Sequence, residues 1–145
     1  MEIVECSKIS KTKKLCSKYY QFETFQHCLR VAEYASKNIC LRTDEERIIA
    51  FIIGLCHDLL EDTNATVAEI CEATGYTESF IINVLGALTR NKDEVYMDYI
   101  KRIKQNDSIY PYIVKIADVK DHFRQKDTLK DSLKERYVNA LAELL

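Results

Sequence analysis

The chain's strongest constraint is the apolar run Ile48-Ile49-Ala50-Phe51-Ile52-Ile53-Gly54-Leu55-Cys56, which ends on His57-Asp58 and is followed by Glu61-Asp62-Thr63. A run that apolar reads as a helix buried on most sides, so a histidine and three acids crowd into a place where charge is costly. Burying them unpaired would cost several kcal/mol, on the order set by transfer of ionised groups out of water. The cluster therefore needs a partner, and a metal ion is the one its chemistry suits best.

That run has only nine residues, short of the roughly 20 needed to span a bilayer. The N-terminal lysines Lys8, Lys11, Lys13 and Lys14 lead into no apolar stretch, so nothing there reads as a secretory signal. A length of 145 residues, with 47% hydrophobic, predicts one domain over residues 1–145 with a real core. The net charge of -2, with acids and bases spread along the chain, gives no electrostatic case for nucleic acid or an anionic membrane. Any phosphorylated ligand must then be captured locally.

Six cysteines, Cys6, Cys16, Cys28, Cys40, Cys56 and Cys71, form no CxxC pair and lie mostly among apolar neighbours. They read as small core residues in a reduced, cytoplasmic, soluble protein, not as a zinc ribbon or disulfide framework.

Glycine is scarce, proline nearly absent, and apolar residues recur at three and four spacing, so the whole chain is expected to be helical. The expected fold is all-α, a bundle of about seven to eight helices. A first stretch covers Glu2 to Tyr20, and a second helix Gln26 to Asn38 packs through Leu29, Ala32, Tyr34 and Ala35. Thr43-Asp44-Glu45-Glu46 and Thr66-Val67-Ala68-Glu69 have the form of capping boxes, and Gly75 closes the short helix that the second one opens. Helices follow over Thr77 to Leu88 and Glu94 to Lys104. Another has Pro111 in its first turn, where a missing amide costs nothing, and the last spans Lys130 to Leu144.

His57 and Glu61, and likewise Asp58 and Asp62, would share a helix face at i and i+4. His27 and Asp118 are the natural further ligands. Two imidazoles with two carboxylates suit manganese, iron or zinc better than calcium. Such an ion lowers the pKa of bound water from about 15.7 toward about 7 and polarises a phosphoryl oxygen, which together make a hydrolase. Taken singly, each residue has a blander reading: His27 as a structural histidine, Asp118 as the partner of Lys115 or Lys120.

The order His27, His57-Asp58, Asp118 resembles the HD-domain phosphohydrolases. Three further segments narrow the likeness: His57-Asp58-Leu59-Leu60-Glu61-Asp62-Thr63 with Thr66, then Leu88-Thr89-Arg90, then Val114-Lys115-Ile116-Ala117-Asp118. Together they look like the hydrolase domain of RelA/SpoT-type proteins. That resemblance implies one divalent ion, most often Mn2+ with Fe2+ or Zn2+ as alternatives, bound by His27, His57, Asp58 and Asp118. It implies that Glu61 and Asp62 serve the attacking water, and that the substrate is a phosphorylated nucleotide cleaved at the 3'-pyrophosphate of guanosine tetra- or pentaphosphate. Lys18, Lys115 and His122 occupy the positions expected to meet that substrate, with Arg90 and Arg124 as further phosphate contacts or simply solvated charges.

The departures lie on the recognition side. Where the family has Gly-x-Pro-Tyr-x-x-His-Pro, this chain reads Gln21-Phe22-Glu23-Thr24-Phe25-Gln26-His27-Cys28, and His122 stands where an asparagine is usual. Tyr19, Tyr20 and Phe22 either line a base-stacking pocket or pack in the core. Another phosphorylated metabolite, or a non-catalytic nucleotide sensor keeping the metal, are the competing expectations.

Overall fold

The computed structural model describes residues 6–124 and 130–145. Within them the chain forms α1 (Ser7–Tyr19), α2 (Phe22–Ser36), α3 (Asp44–Cys56), α4 (Leu59–Asp62), α5 (Val67–Thr74), α6 (Glu78–Ala87), α7 (Tyr96–Lys104), α8 (Ile109–Phe123) and α9 (Asp131–Leu144). Eight of these are full helices, α4 is a single turn, and no strand occurs among the described residues. The fold is all-α. No helix among the described residues is long and apolar enough to cross a membrane.

Local signals set most helix starts. Thr43 Oγ1 accepts the Glu46 amide at 3.1 Å while Glu46 Oε1 accepts the Thr43 amide at 3.0 Å, which opens α3 with a complete capping box. Thr66 and Glu69 do the same for α5, and Gly75 ends it in the left-handed region at φ 76°, where a side chain would be strained. Thr77 and Ser108 cap α6 and α8 through their hydroxyls.

Where such signals are missing, the sequence misplaced the boundary. α2 begins at Phe22, four residues before Gln26, because Gln21 adopts extended backbone without a side-chain cap and nothing local marks the start. Its packing face is Cys28, Val31, Ala32 and Ala35, and Tyr34 points outward, 46% exposed. α7 starts at Tyr96 because Glu94 is drawn away to the Asn91 amide and to Arg102, with bonds of 3.0, 2.9 and 2.9 Å. Cys16, Cys28 and Cys56 are buried as expected, but Cys40 is exposed. Residues 2–5 of the expected first helix lie outside the described segments.

The largest correction concerns the apolar run. α3 stops at Cys56, and His57 (φ −61°, ψ −25°) and Asp58 (φ −99°, ψ −2°) form a turn before α4. His57 and Glu61 therefore do not share one helix face. Only from Asp58 onward does i to i+4 bonding resume, with the Asp62 amide donating to the Asp58 carbonyl at 3.0 Å. The His57 ring turns back and donates from Nδ1 to the Gly54 carbonyl at 2.6 Å, satisfying an acceptor that a helix end leaves unmatched.

Three helices meet at this point. α2 packs most extensively on α3, and α8 packs on both. Ile52, Ile53, Leu55, Leu59 and Val31 are fully buried between them, each stabilising the fold by roughly 1.5–3 kcal/mol relative to exposure. The α2–α3 approach is close enough that Gly54 faces the Ala32 backbone. This packing brings His27 of α2, the His57-Asp58 turn and Asp118 of α8 together, while α9 lies against α7 and α8.

Candidate metal centre

Asp118 is the hub of the site. Its Oδ1 lies 2.9 Å from His27 Nε2, 3.3 Å from His57 Nε2 and 3.3 Å from His122 Nε2. Its other oxygen, Oδ2, accepts from Lys115 Nζ at 2.8 Å. His27, His57 and Asp118 each offer a donor atom within 4.8 Å of the others, close enough to share one ion. Asp58 joins at the edge, with Oδ1 3.4 Å from His57 Nε2 and Oδ2 4.0 Å from His27 Nε2.

Both imidazoles have the supporting bonds that a metal ligand needs. Nδ1 of His27 donates to Asp121 Oδ2 at 2.6 Å, and Nδ1 of His57 donates to the Gly54 carbonyl, so each Nε2 is the nitrogen left to face an ion. Asp121 is fixed in turn by the Arg30 fork at 2.8 and 3.0 Å. The residues thus fit a divalent ion by donor type, spacing and outer support. Asp121 and Arg30 were missed in the sequence, where each is an ordinary helical charge. Their signal was spacing, since each follows a candidate ligand by three residues. Cys28, read as core, also approaches: its thiol donates to Asp58 Oδ2 at 3.6 Å, and Cys28, His57 and Asp58 form a second possible donor set.

The charges are strongly coupled. Burial opposes protonation of His57, but the carboxylates of Asp58 and Asp118 outweigh it and hold its pKa well above the usual 6.5. Burial also opposes protonation of His27, and the bond to Asp118 reverses that, raising it as well. Burial would push Asp118 up, yet Lys115 and the imidazoles hold it well below the ordinary carboxylate range. Lys115 is held well above the ordinary lysine value, its burial outweighed by Asp118.

A metal must displace the protons on His27 and His57, so affinity for the ion should rise as the pH rises through their elevated pKa values. Without metal the sign inverts. Stability from the imidazolium–carboxylate contacts is complete below the ordinary histidine pKa and is lost as the pH climbs through the raised folded values. Thermal unfolding from pH 6 upward should therefore show the chelated protein losing stability and the manganese-loaded protein gaining relative to it. Parallel curves would refute this assignment.

The site opens into a cavity of about 420 Å³ lined by Glu23, Thr24, His27, His57, Asp58, Glu61, Asp62, Leu88, Arg90, Tyr96, Tyr99, Lys115, Asp118, His122, Arg136 and Tyr137. Its size is within the usual range for small-molecule sites. Glu61 and Asp62 thus face the same space as the candidate ligands. Glu61 Oε2 accepts the Arg90 amide at 2.8 Å. Burial, with the nearby charges of Asp58 and Glu61, raises the pKa of Asp62.

Three expected substrate contacts fare differently. His122 lies in the cavity, its ring stacked on Tyr137 at 4.8 Å and 2°. Lys115 lines it too, but is buried and tied to Asp118, so it orients that candidate ligand. Lys18 is not brought to the site: it pairs with Glu69 at 3.5 Å in a separate groove between α1 and α5. Arg124 also lies elsewhere, 3.7 Å from Asp121 and over Tyr34. Tyr20 is core, donating to the Leu55 carbonyl at 2.8 Å; Tyr19 donates to Glu69, and Phe22 is exposed. The aromatic wall comes instead from Tyr96, Tyr99 and Tyr137. Tyr96 Oη is buried with no hydrogen-bond partner among the described residues, an omission that costs about 1–3 kcal/mol.

This arrangement of two histidines and two aspartates, from α2, the His57-Asp58 turn and α8, coincides with a family match: the HD domain model covers residues 24–122, from Thr24 in the cavity wall to His122. The chain belongs to the HD domain family. An HD domain is in general a metal-dependent phosphohydrolase, and the match spans every candidate ligand. No curated protein matches the chain. The family span ends before α9, so Arg136 and Tyr137 are contributed from outside it.

Proposed function

We propose that this HD domain hydrolyses a phosphorylated nucleotide, with the 3'-pyrophosphate of guanosine tetra- or pentaphosphate as the leading substrate. The observation that carries the hydrolase reading is the cavity itself, in which a buried His and Asp donor cluster and two further carboxylates, Glu61 and Asp62, face the same space. The narrower choice of substrate rests on the Glu61-Asp62-Thr63 sequence after His57-Asp58 and on the Leu88-Thr89-Arg90 and Val114–Asp118 segments.

His27, His57, Asp58 and Asp118 would hold one divalent ion, manganese foremost and iron or zinc as alternatives. When bound, the ion supplies Lewis acidity at the phosphoryl oxygen and makes water acidic enough to deprotonate near neutral pH. The chain's own residues do the rest. Lys115 and Asp121 fix Asp118 and His27 in place before substrate arrives. The attacking oxygen forms a bond to phosphorus, the bond from phosphorus to the leaving oxygen breaks, and the water proton passes to a carboxylate. Glu61 and Asp62 are the acceptors in reach of the cavity, and burial beside Asp58 and Glu61 makes Asp62 a better proton acceptor than an ordinary aspartate.

Glu61→Gln should keep the metal affinity of the native chain and lower turnover by about 10²–10⁴-fold, the usual contribution of positioned acid–base catalysis. Equal loss of metal would instead make Glu61 a ligand or folding residue. The substrate is tested by chromatographic product analysis with manganese on guanosine tetraphosphate and ordinary nucleotides. Pyrophosphate release from the former alone supports the narrow reading. Binding without release from any nucleotide would identify a sensor, an outcome that the altered Gln21–Gln26 stretch, with Glu23 in the cavity wall, makes worth measuring.

A further inference from the structure

A buried sulfur sits beside the metal centre and has no part in the hydrolysis. Cys28 follows His27 on α2 and is fully buried, and its thiol is aimed at a carboxylate, donating to Asp58 Oδ2 at 3.6 Å. Asp58 Oδ1 in turn lies 3.4 Å from His57 Nε2. Cys28, His57 and Asp58 can each offer one donor atom within 4.8 Å of the others, just as His27, His57 and Asp118 can. Cys28 stands where the Gly-x-Pro-Tyr-x-x-His-Pro pattern ends in proline, so the thiol is a feature of this chain and not of that pattern.

The spacing suits a small tetrahedral ion. Bonds of about 2.3 Å to sulfur and about 2.1 Å to nitrogen or oxygen, set at the tetrahedral angle, put sulfur about 3.6 Å and nitrogen about 3.4 Å from oxygen. Those are the two separations found, on the two oxygens of Asp58. The donor sets differ in chemistry: nitrogen and oxygen alone suit manganese, whereas a thiolate selects a softer ion such as zinc. They also overlap. His57 Nδ1 is committed to the Gly54 carbonyl at 2.6 Å, so the single Nε2 must serve whichever ion is present.

We propose that Cys28, His57 and Asp58 form a second site, for a thiophilic divalent ion with zinc foremost, whose occupation excludes the catalytic ion. The thiol proton passes to solvent as the ion binds, so the cation takes the place of the hydrogen now directed from Cys28 to Asp58. Zinc held there claims His57 and Asp58 and leaves the catalytic ion only His27 and Asp118. It is then an inhibitor of the manganese enzyme and not an equivalent cofactor. The inference rests on the metal-centre reading of His57 and Asp58, and on no particular substrate.

The test titrates cadmium, a zinc analogue whose bonds to thiolate absorb in the ultraviolet, into the full chain reduced with a phosphine. The native chain should gain a sulfur-to-cadmium charge-transfer band. When the chain is preloaded with manganese, cadmium or zinc should release that manganese, read as the free-ion signal in electron paramagnetic resonance. Cys28→Ser should lose the band and keep manganese affinity near native. Cadmium should then need at least about tenfold more to release manganese, the lower end of what is lost even with a group that merely supports a ligand. Cys40→Ser removes an exposed thiol and should leave the band intact. His27→Gln takes a donor from the first set alone, so manganese should weaken while the band persists. Circular dichroism checks folding, and Cys28→Ala repeats the test without placing a hydroxyl in the core.

No band in the native chain, a band that survives in folded Cys28→Ser and Cys28→Ala, or cadmium and manganese bound side by side overturns the second site. Each of these leaves the manganese centre standing. A Cys28-dependent band in a chain that never binds manganese would do the reverse, keeping the second site and sinking the manganese-hydrolase reading.

Discussion

Asp118→Asn should abolish manganese binding and lower turnover by at least about 10³-fold, the largest functional effect expected of any single change here. Every strand of the site passes through this carboxylate: three imidazole Nε2 atoms lie within 3.3 Å of one oxygen and a buried ammonium 2.8 Å from the other. An amide in its place offers a weaker ligand and leaves Lys115 without its counter-charge. Losing one partner of a buried pair costs about 3–5 kcal/mol, so the variant should also unfold earlier. The two effects separate in Lys115→Met/Asp118→Asn, where the stranded ammonium is gone. Stability should recover in large part while metal binding stays lost. Metal analysis of the purified variants, with thermal unfolding, reads both. Native-like manganese affinity in Asp118→Asn would remove Asp118 from the ligand set.

The largest structural effect is expected at Gly54. A Cβ there would sit 2.7 Å from Ala32 Cα and 3.0 Å from Ala32 N, and backbone cannot swing aside as a side chain can. Gly54→Ala should therefore force α2 from α3 and destabilise the protein by about 3 kcal/mol, the upper end of overpacking costs. For a chain this size that lowers Tm by about 6–12 °C. Because α2 carries His27 and Gly54 itself holds His57, metal affinity should fall in the folded fraction as well. Gly86→Ala is the control. A Cβ at Gly86 meets nothing within 4 Å, so the gain in helix propensity should stabilise the chain by up to about 1 kcal/mol. A Gly54→Ala protein as stable as the native one would mean that the two helices slide apart at little cost.

Much of this architecture is written locally in the sequence. The boxes at Thr43–Glu46 and Thr66–Glu69, the stop at Gly75 and the placement of Pro111 act through bonds within a few residues, and there the expected and observed boundaries agree. The start of α2 and the break at His57-Asp58 are set by distant packing. No glycine or proline marks that break, so an apolar run ending in a charged pair reads as continuous helix. The candidate ligands were visible because ionisable groups beside an apolar run are costly anywhere. Asp121, Arg30 and Tyr96 were not, since a charge or a tyrosine on a helix becomes distinctive only once the opposing helix is known. Lys18 shows the reverse failure: a basic residue in the right stretch of sequence ends up in the α1–α5 groove, paired with Glu69.

The way α3 ends has a further consequence. Its final carbonyls are met by side chains, Gly54 by His57 Nδ1 and Leu55 by the Tyr20 hydroxyl and, at 3.5 Å, the Cys16 thiol. The terminus is thereby sealed without needing solvent. A helix end carries roughly half a negative charge, and in dry surroundings that field is weakly screened. The backbone of α3 is itself an electrostatic basin for cations, independent of any carboxylate. Neutralising Asp58 alone should then leave a residual pull on a divalent ion that added salt erodes only slowly.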